Sequence, residues 1–148
     1  MFPDHKTAEI SAHAYATTLE GTTPFTGALP PDTVIFIVGT TRVYLMLRKG
    51  HELIVGRHHL TNTQQPELDL STFGAAEAGT SRLHAALSHQ KNGWWLIDMH
   101  SSNGTWVNDQ RLAPFAPYAL IETTNHIFLG NLELTIILPE ERYSPLVA

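Results

Sequence analysis

Apolar residues in this chain come in short runs separated by turn residues, and the runs carry almost no helical period. Val34-Ile35-Phe36-Ile37-Val38 is β-branched and aromatic, the composition of a strand. Gly39-Thr40-Thr41 turns the chain, residues 42–47 alternate in part, and Lys49-Gly50 turns it again. Residues 51–55 predict a third strand that runs into Gly56-Arg57. After a polar stretch over 58–66, Leu68-Asp69-Leu70 is a short strand candidate, and residues 74–79 form a loop of small residues. Residues 84–90 and 94–99 predict two strands around Asn92-Gly93, a hairpin turn of the kind that takes two positive φ angles. Thr105-Trp106-Val107 and Gln110-Arg111-Leu112 flank a turn at Asn108-Asp109. Pro114 and Pro117 bracket a loop, and residues 127–129 and 132–138 pair around Gly130-Asn131. Many short strands with regular turn signals predict an all-β sandwich.

The ends differ from this pattern. Residues 1–30 hold Thr7, Thr17, Thr18, Thr22, Thr23 and Thr26 among glycines and prolines. Residues 8–19 are the one helical candidate, with a thin apolar face. Pro30-Pro31 closes the stretch, because each proline removes a donor and biases the preceding residue to extended geometry. The expected organisation is a threonine-rich extension over 1–30 that is mobile or lies on the surface, a domain over 31–140, and a tail over 141–148.

Composition narrows the function. The chain has 148 residues, 43% hydrophobic and 16% charged, which suits one globular domain with a real core. A formal net charge of -5 argues against nucleic acid and anionic membrane as main partners, since both are bound by basic surface. The absence of cysteine removes disulfides and thiolate metal sites and fits a reducing cytoplasm. The longest apolar stretch, residues 34–47, is broken by Gly39-Thr40-Thr41-Arg42, and no apolar segment near Asp4 and His5 resembles a signal peptide. Nine histidines invite a metal reading, but His58 and His59, being adjacent, point to opposite faces of a strand, as do His84 and His89. No metal and no cofactor is expected.

One ordered set of short motifs carries chemistry: Gly56-Arg57, then Ser81-Arg82-Leu83-His84, then Ser101-Ser102-Asn103-Gly104-Thr105, then Asn108. Arginine presents a planar fork of donors that matches phosphate oxygens, serine adds a neutral donor, and asparagine offers both donor and acceptor to a peptide backbone. Singly, each motif reads as a surface arginine, a turn serine or a tight Asn-Gly turn. In this order the set resembles the forkhead-associated (FHA) family, over roughly residues 31–139. The resemblance implies an FHA-type β-sandwich of about eleven strands that binds threonine-phosphorylated peptides without catalysis. It implies that Arg57, Ser81 and Ser102 contact the phosphate, that Arg82 adds a further contact, and that Asn103 bonds the ligand backbone. Gly56, His84, Gly104 and Asn108 are then architectural.

The family likeness also implies an upstream serine/threonine kinase. It further implies, from family members that fold a phosphorylated threonine pair into their own pocket, a regulatory use of Thr17, Thr18, Thr22 and Thr23. Thr23-Pro24 would suit a proline-directed kinase. Three departures stand out: a long segment from Arg57 to Ser81, Asp109 where glycine is common, and Thr124-Asn125 where Gly-Asp is common. Two other readings compete. One is an FHA-like scaffold or oligomerisation domain with an idle pocket. The other is a hydrolase built on Ser81, His84 and Asp98, which lacks a Gly-x-Ser-x-Gly elbow.

Overall fold

In the computed structural model the backbone of residues 13–18 and the whole of residues 29–140 are described. Among the described residues twelve strands form two sheets: β1 (His13–Thr18), β2 (Thr33–Val38), β3 (Thr41–Met46), β4 (His51–Gly56), β5 (Leu68–Asp69), β6 (Leu83–Gln90), β7 (Gly93–Asp98), β8 (Thr105–Val107), β9 (Gln110–Arg111), β10 (Tyr118–Ala119), β11 (Thr124–Leu129) and β12 (Leu132–Ile137). One short 3₁₀ turn, Ser71–Phe73, follows β5. One sheet runs β1-β3-β2-β12-β11-β8-β9 and the other β10-β7-β6-β4-β5. All pairings are antiparallel except β4 with β5. Eleven strands therefore lie between Thr33 and Ile137, as expected, and β1 is an addition at the sheet edge.

The core lies between the sheets because alternate residues of each strand point inward. Val34, Phe36, Val43, Leu45, Leu134 and Ile136 of one sheet meet Leu53, Val55, Ala85, Leu87 and Leu96 of the other in one buried cluster. Strand β7 shows the alternation cleanly: Trp94, Leu96 and Asp98 are buried while Gly93, Trp95 and Ile97 are half-buried.

Two local expectations change. Residues 13–18 form a strand, not part of a helix, with Thr17 opposite Arg42 and Thr18 opposite Thr41. A segment with a thin apolar face gains more by completing backbone hydrogen bonds on the open β3 edge than by forming an isolated helix. The remainder of the helical candidate lies outside the described residues, as do Thr22 and Thr23. At the β6–β7 hairpin Gly93 has φ +137° while Asn92 is not in the left-handed region, so the turn is not the two-positive-φ type. That geometry occurs instead between β8 and β9, where Asn108 and Asp109 have φ of +48° and +72°.

Candidate functional site

The motif residues gather at the end of the sandwich where β4 finishes, β6 begins and the loop before β8 turns. The β4 strand passes so close to β6 there that a Cβ on Gly56 would collide with the Arg82 carbonyl oxygen. The register between β4 and β6 shifts at the same point, between Val55 and Gly56. Glycine is what allows Arg57 to continue alongside, its N–H donating to the Arg82 carbonyl at 3.0 Å. Arg57 Nε donates to the Thr80 carbonyl at 2.7 Å. This bond uses the innermost donor of the guanidinium and fixes the direction of the fork beyond it. Thr80 is itself anchored, its buried hydroxyl donating to the Leu129 carbonyl at 2.8 Å.

His84 ties two loops together. The Ser81 N–H donates to its Nδ1 at 2.9 Å, so the ring proton sits on Nε2, which donates to the Gly104 carbonyl at 2.8 Å. Burial pushes the His84 pKa down, against the opposing pull of the Gly104 carbonyl and the Asp98 charge, so the ring is neutral at pH 7. The Ser81 hydroxyl accepts from the Ser102 N–H at 3.1 Å and keeps its own proton to donate. Asn103 Nδ2 donates to the Gly79 carbonyl at 2.9 Å, which leaves the amide oxygen as an acceptor. Gly79 has φ +80°, and a Cβ there would lie 2.6 Å from that Nδ2.

Beneath these loops lies a residue that a motif reading treats only as part of a hydrolase trio. Asp98 is buried and accepts from the Ser101 hydroxyl at 2.5 Å, the Thr105 hydroxyl at 2.7 Å and the Ser101 N–H at 3.2 Å. The Ser101 hydroxyl in turn accepts from the Gly104 N–H at 3.0 Å. Ser81, His84 and Asp98 thus form no relay: both His84 nitrogens bond backbone groups, and Asp98 shapes the loop that carries Ser102 and Asn103. A buried aspartate at a strand end, followed by serines, was the available sign.

Arg82 is held by a different loop. Its Nη1 donates to Asn62 Oδ1 at 3.2 Å and its Nη2 to His59 Nε2 at 3.1 Å, both from the β4–β5 loop. A guanidinium only donates, so His59 Nε2 accepts and the ring is neutral, while its Nδ1 faces the Thr61 hydroxyl at 2.8 Å and the Thr61 N–H at 3.2 Å. Desolvation and the nearby charges of Arg82, Arg57 and His58 all lower its pKa. Neither Asn62 nor His59 belongs to the motif set, and nothing in the sequence pairs them with Arg82. Asn108 lies away from the cluster: its amide accepts from His126 N–H at 2.8 Å and donates to Asn125 at 3.2 Å. Asn125 is buried and replaces an aspartate of the common pattern without breaking this frame. Among the described residues no three metal-ligating side chains cluster, and no helix is long and apolar enough to cross a membrane.

A family model described as "FHA domain" matches residues 53–130, from mid-β4 to the turn after β11. The chain belongs to the FHA domain family. FHA domains are phosphothreonine-binding modules, and this chain is one by fold and by family. The E3 ubiquitin-protein ligase RNF8 of Rattus norvegicus is 34% identical over 94 residues, 63% of this chain but only 18% of that protein. RNF8 of Mus musculus is 36% identical over 88 residues, 59% of this chain and 17% of the relative. The match thus spans under a fifth of these relatives. Among solved structures, an FHA domain studied for its phosphothreonine-dependent interactions is 29% identical with a TM-score of 0.53, over 72% of this chain and 96% of that one. The FhaA FHA domain, solved in complex with the intracellular domain of a second protein, is 28% identical with a TM-score of 0.52, over 70% and 98%.

Proposed function

We propose that this FHA domain, taken as residues 31–140, docks threonine-phosphorylated protein segments through the loop cluster at the end of β4. Arg57 and Ser81 contact the phosphate, with Ser102 beside them, and Asn103 bonds the peptide backbone next to the phosphothreonine. One observation carries this reading: a guanidinium, a hydroxyl and an amide meet at one pole, each held at one atom and offering another. Such pre-organised donors suit a phosphate monoester, because little side-chain entropy is lost on binding. Gly56, His84, Gly104 and Asn108 hold the frame. The module works without catalysis or a cofactor, downstream of a serine/threonine kinase in the cytoplasm.

Titration of the full chain with a phosphothreonine peptide, its phosphoserine form and its unphosphorylated form tests the reading. Binding that depends on phosphate and favours threonine supports it. Equal or absent binding of all three, including members of a degenerate phosphothreonine library, would favour the scaffold with an idle pocket.

The chain's own threonine pairs are second candidate ligands. A tether of about ten to thirty residues gives a millimolar effective concentration, enough to compete with external ligands of micromolar affinity. Thr17 and Thr18 lie in β1, whose backbone pairs with β3, so their use would require β1 to leave that edge. Phosphorylation of the full chain, followed by peptide titration against a variant lacking residues 1–28, tests this. Equal affinities with phosphate confirmed on Thr17, Thr18, Thr22 or Thr23 would exclude self-inhibition and leave the module intact.

A further inference from the structure

A second polar cluster lies at the other end of β6 from Ser81, beside the turn into β7. His89 and Trp94 are partners across the two strands, and their rings stack with centroids 3.8 Å apart and planes 8° from parallel. His89 Nδ1 donates to the Leu47 carbonyl at 2.7 Å and lies 3.5 Å from Asp32 Oδ1. Asp32 is held in turn: its φ is +69°, and its carbonyl accepts from the Leu47 N–H at 2.7 Å. The Trp94 indole is the exception in this cluster. The residue is 2% exposed, and its buried Nε1 has no hydrogen-bond partner. A buried indole N–H ordinarily finds an acceptor, so a donor left over at a cavity wall points to a ligand.

Trp94, His89 and Asp32 line one cavity of about 170 Å³, with the exposed Lys49 and Lys91 at its rim. One water takes about 30 Å³ of liquid, so the space admits a group of several atoms. Charge narrows the choice. Two ammonium groups against one carboxylate leave a single positive charge, which a monoanion balances. A phosphate dianion would set excess negative charge against Asp32. A carboxylate fits the donors as well as the charge, since one oxygen can accept from an indole and the other from an ammonium group.

We propose that this cavity is a second binding site, for a single carboxylate group that accepts from Trp94 Nε1 at the wall and from Lys49 or Lys91 at the rim. The carboxylate belongs to an acidic side chain or to a chain end. The site is independent of the phosphothreonine reading. His89 lies six residues beyond Leu83, about 20 Å along the strand at about 3.3 Å per residue.

The test is a titration of the full chain at constant pH and ionic strength, followed through the three indole N–H resonances. Trp95→Phe and Trp106→Phe identify the Trp94 signal by elimination and leave Trp94 itself intact. The probes are acetate, its neutral analogue acetamide, chloride and inorganic phosphate. A saturable shift of the Trp94 signal with acetate, absent with acetamide and chloride, supports the proposal. A Lys49→Gln, Lys91→Gln double variant should then bind acetate about three- to tenfold more weakly, the range that two exposed charge pairs give. Equal affinity in that variant overturns the role of the lysines. N-acetylglycine and the amide of N-acetylglutamate separate the two sources: the tighter binder shows whether a chain end or a side chain is preferred. No saturable shift with any carboxylate means that water alone meets the indole and overturns the site. Phosphate binding as tightly as acetate overturns the choice of a carboxylate.

Discussion

Arg57 and His84 show how differently two residues of one motif set can act. Arg57 lies half-buried, and its bond to the Thr80 carbonyl aims the guanidinium without neutralising it. Removing a charge-assisted phosphate contact of this kind costs about 2 to 5 kcal/mol. At about 1.4 kcal/mol per decade that is well over tenfold in affinity. Arg57→Ala should therefore lose most phosphopeptide binding in a calorimetric titration while staying folded, with a modest fall in unfolding temperature from the Thr80 carbonyl left without its donor. His84 is the reverse case. Its loss leaves the Ser81 N–H and the Gly104 carbonyl without their partner, at about 1 to 3 kcal/mol for each buried polar group. His84→Ala should lower the denaturant midpoint clearly and weaken peptide binding only as the two loops drift. A His84→Ala protein as stable as the parent would contradict the staple.

At the scale of elements, the β4–β5 loop decides how binding responds to pH. The phosphate's second ionisation lies near pH ~6, and the dianion is the better acceptor. Binding should thus weaken as pH falls from about 7.5 to 5.5. His59 opposes this: desolvation and the charges of Arg82, Arg57 and His58 hold its pKa down in the free protein. A bound dianion would pull that pKa up, so His59 takes up a proton on binding at low pH, giving up the bond it accepts from Arg82, and offsets part of the loss. A variant lacking both His58 and His59 should show the steeper decline by titration across this range. A flat profile in that variant would contradict a dianionic ligand. The Gly79 turn gives a further prediction. An added Cβ lies 2.6 Å from Asn103 Nδ2 and φ is +80°, so Gly79→Ala should displace Asn103 and reduce affinity with little effect on Arg57. Chemical-shift changes confined to the loops before β6 and β8 would show this.

For the molecule as a whole, buried histidines set an acid limit. His84 and His89 both have pKa values lowered first by burial, and His89 also stacks on Trp94 with ring centroids 3.8 Å apart. The unfolded chain binds protons at these positions near pH 6.5, where the folded protein still refuses them. Their contribution is complete above 6.5 and is lost as pH falls from there toward the folded values. Asp69 acts in a lower window. Burial raises its pKa, but bonds from the Ser71 hydroxyl, the His58 N–H and the Ser71 N–H outweigh this and lower it below 3.8. Its contribution is present above that value and disappears only below it. Unfolding temperatures measured from about pH 7.5 to 5.5 should fall, and the slope should lessen in a His84→Gln, His89→Gln double variant. An equal slope in that variant would place the acid sensitivity elsewhere.

Alternation and turn chemistry are local properties, and for that reason most strands from Thr33 onward, though not β10, and the all-β class were legible in the sequence. So was the motif order that marks the family, because Gly-Arg, Ser-x-x-His and Asn-Gly-Thr each answer a local demand of a strand end. Other features depended on residues far apart in the chain. The β3 edge open to residues 13–18, the Asp98 bonds beneath the Ser102 loop, and the clasp of Asn62 and His59 on Arg82 across 20 and 23 positions are contacts that no periodicity encodes. The sequence by itself determined which groups could meet a phosphate. Only the tertiary structure decided which of their atoms are already committed, because a hydrogen bond exists only once two distant strands have fixed both ends.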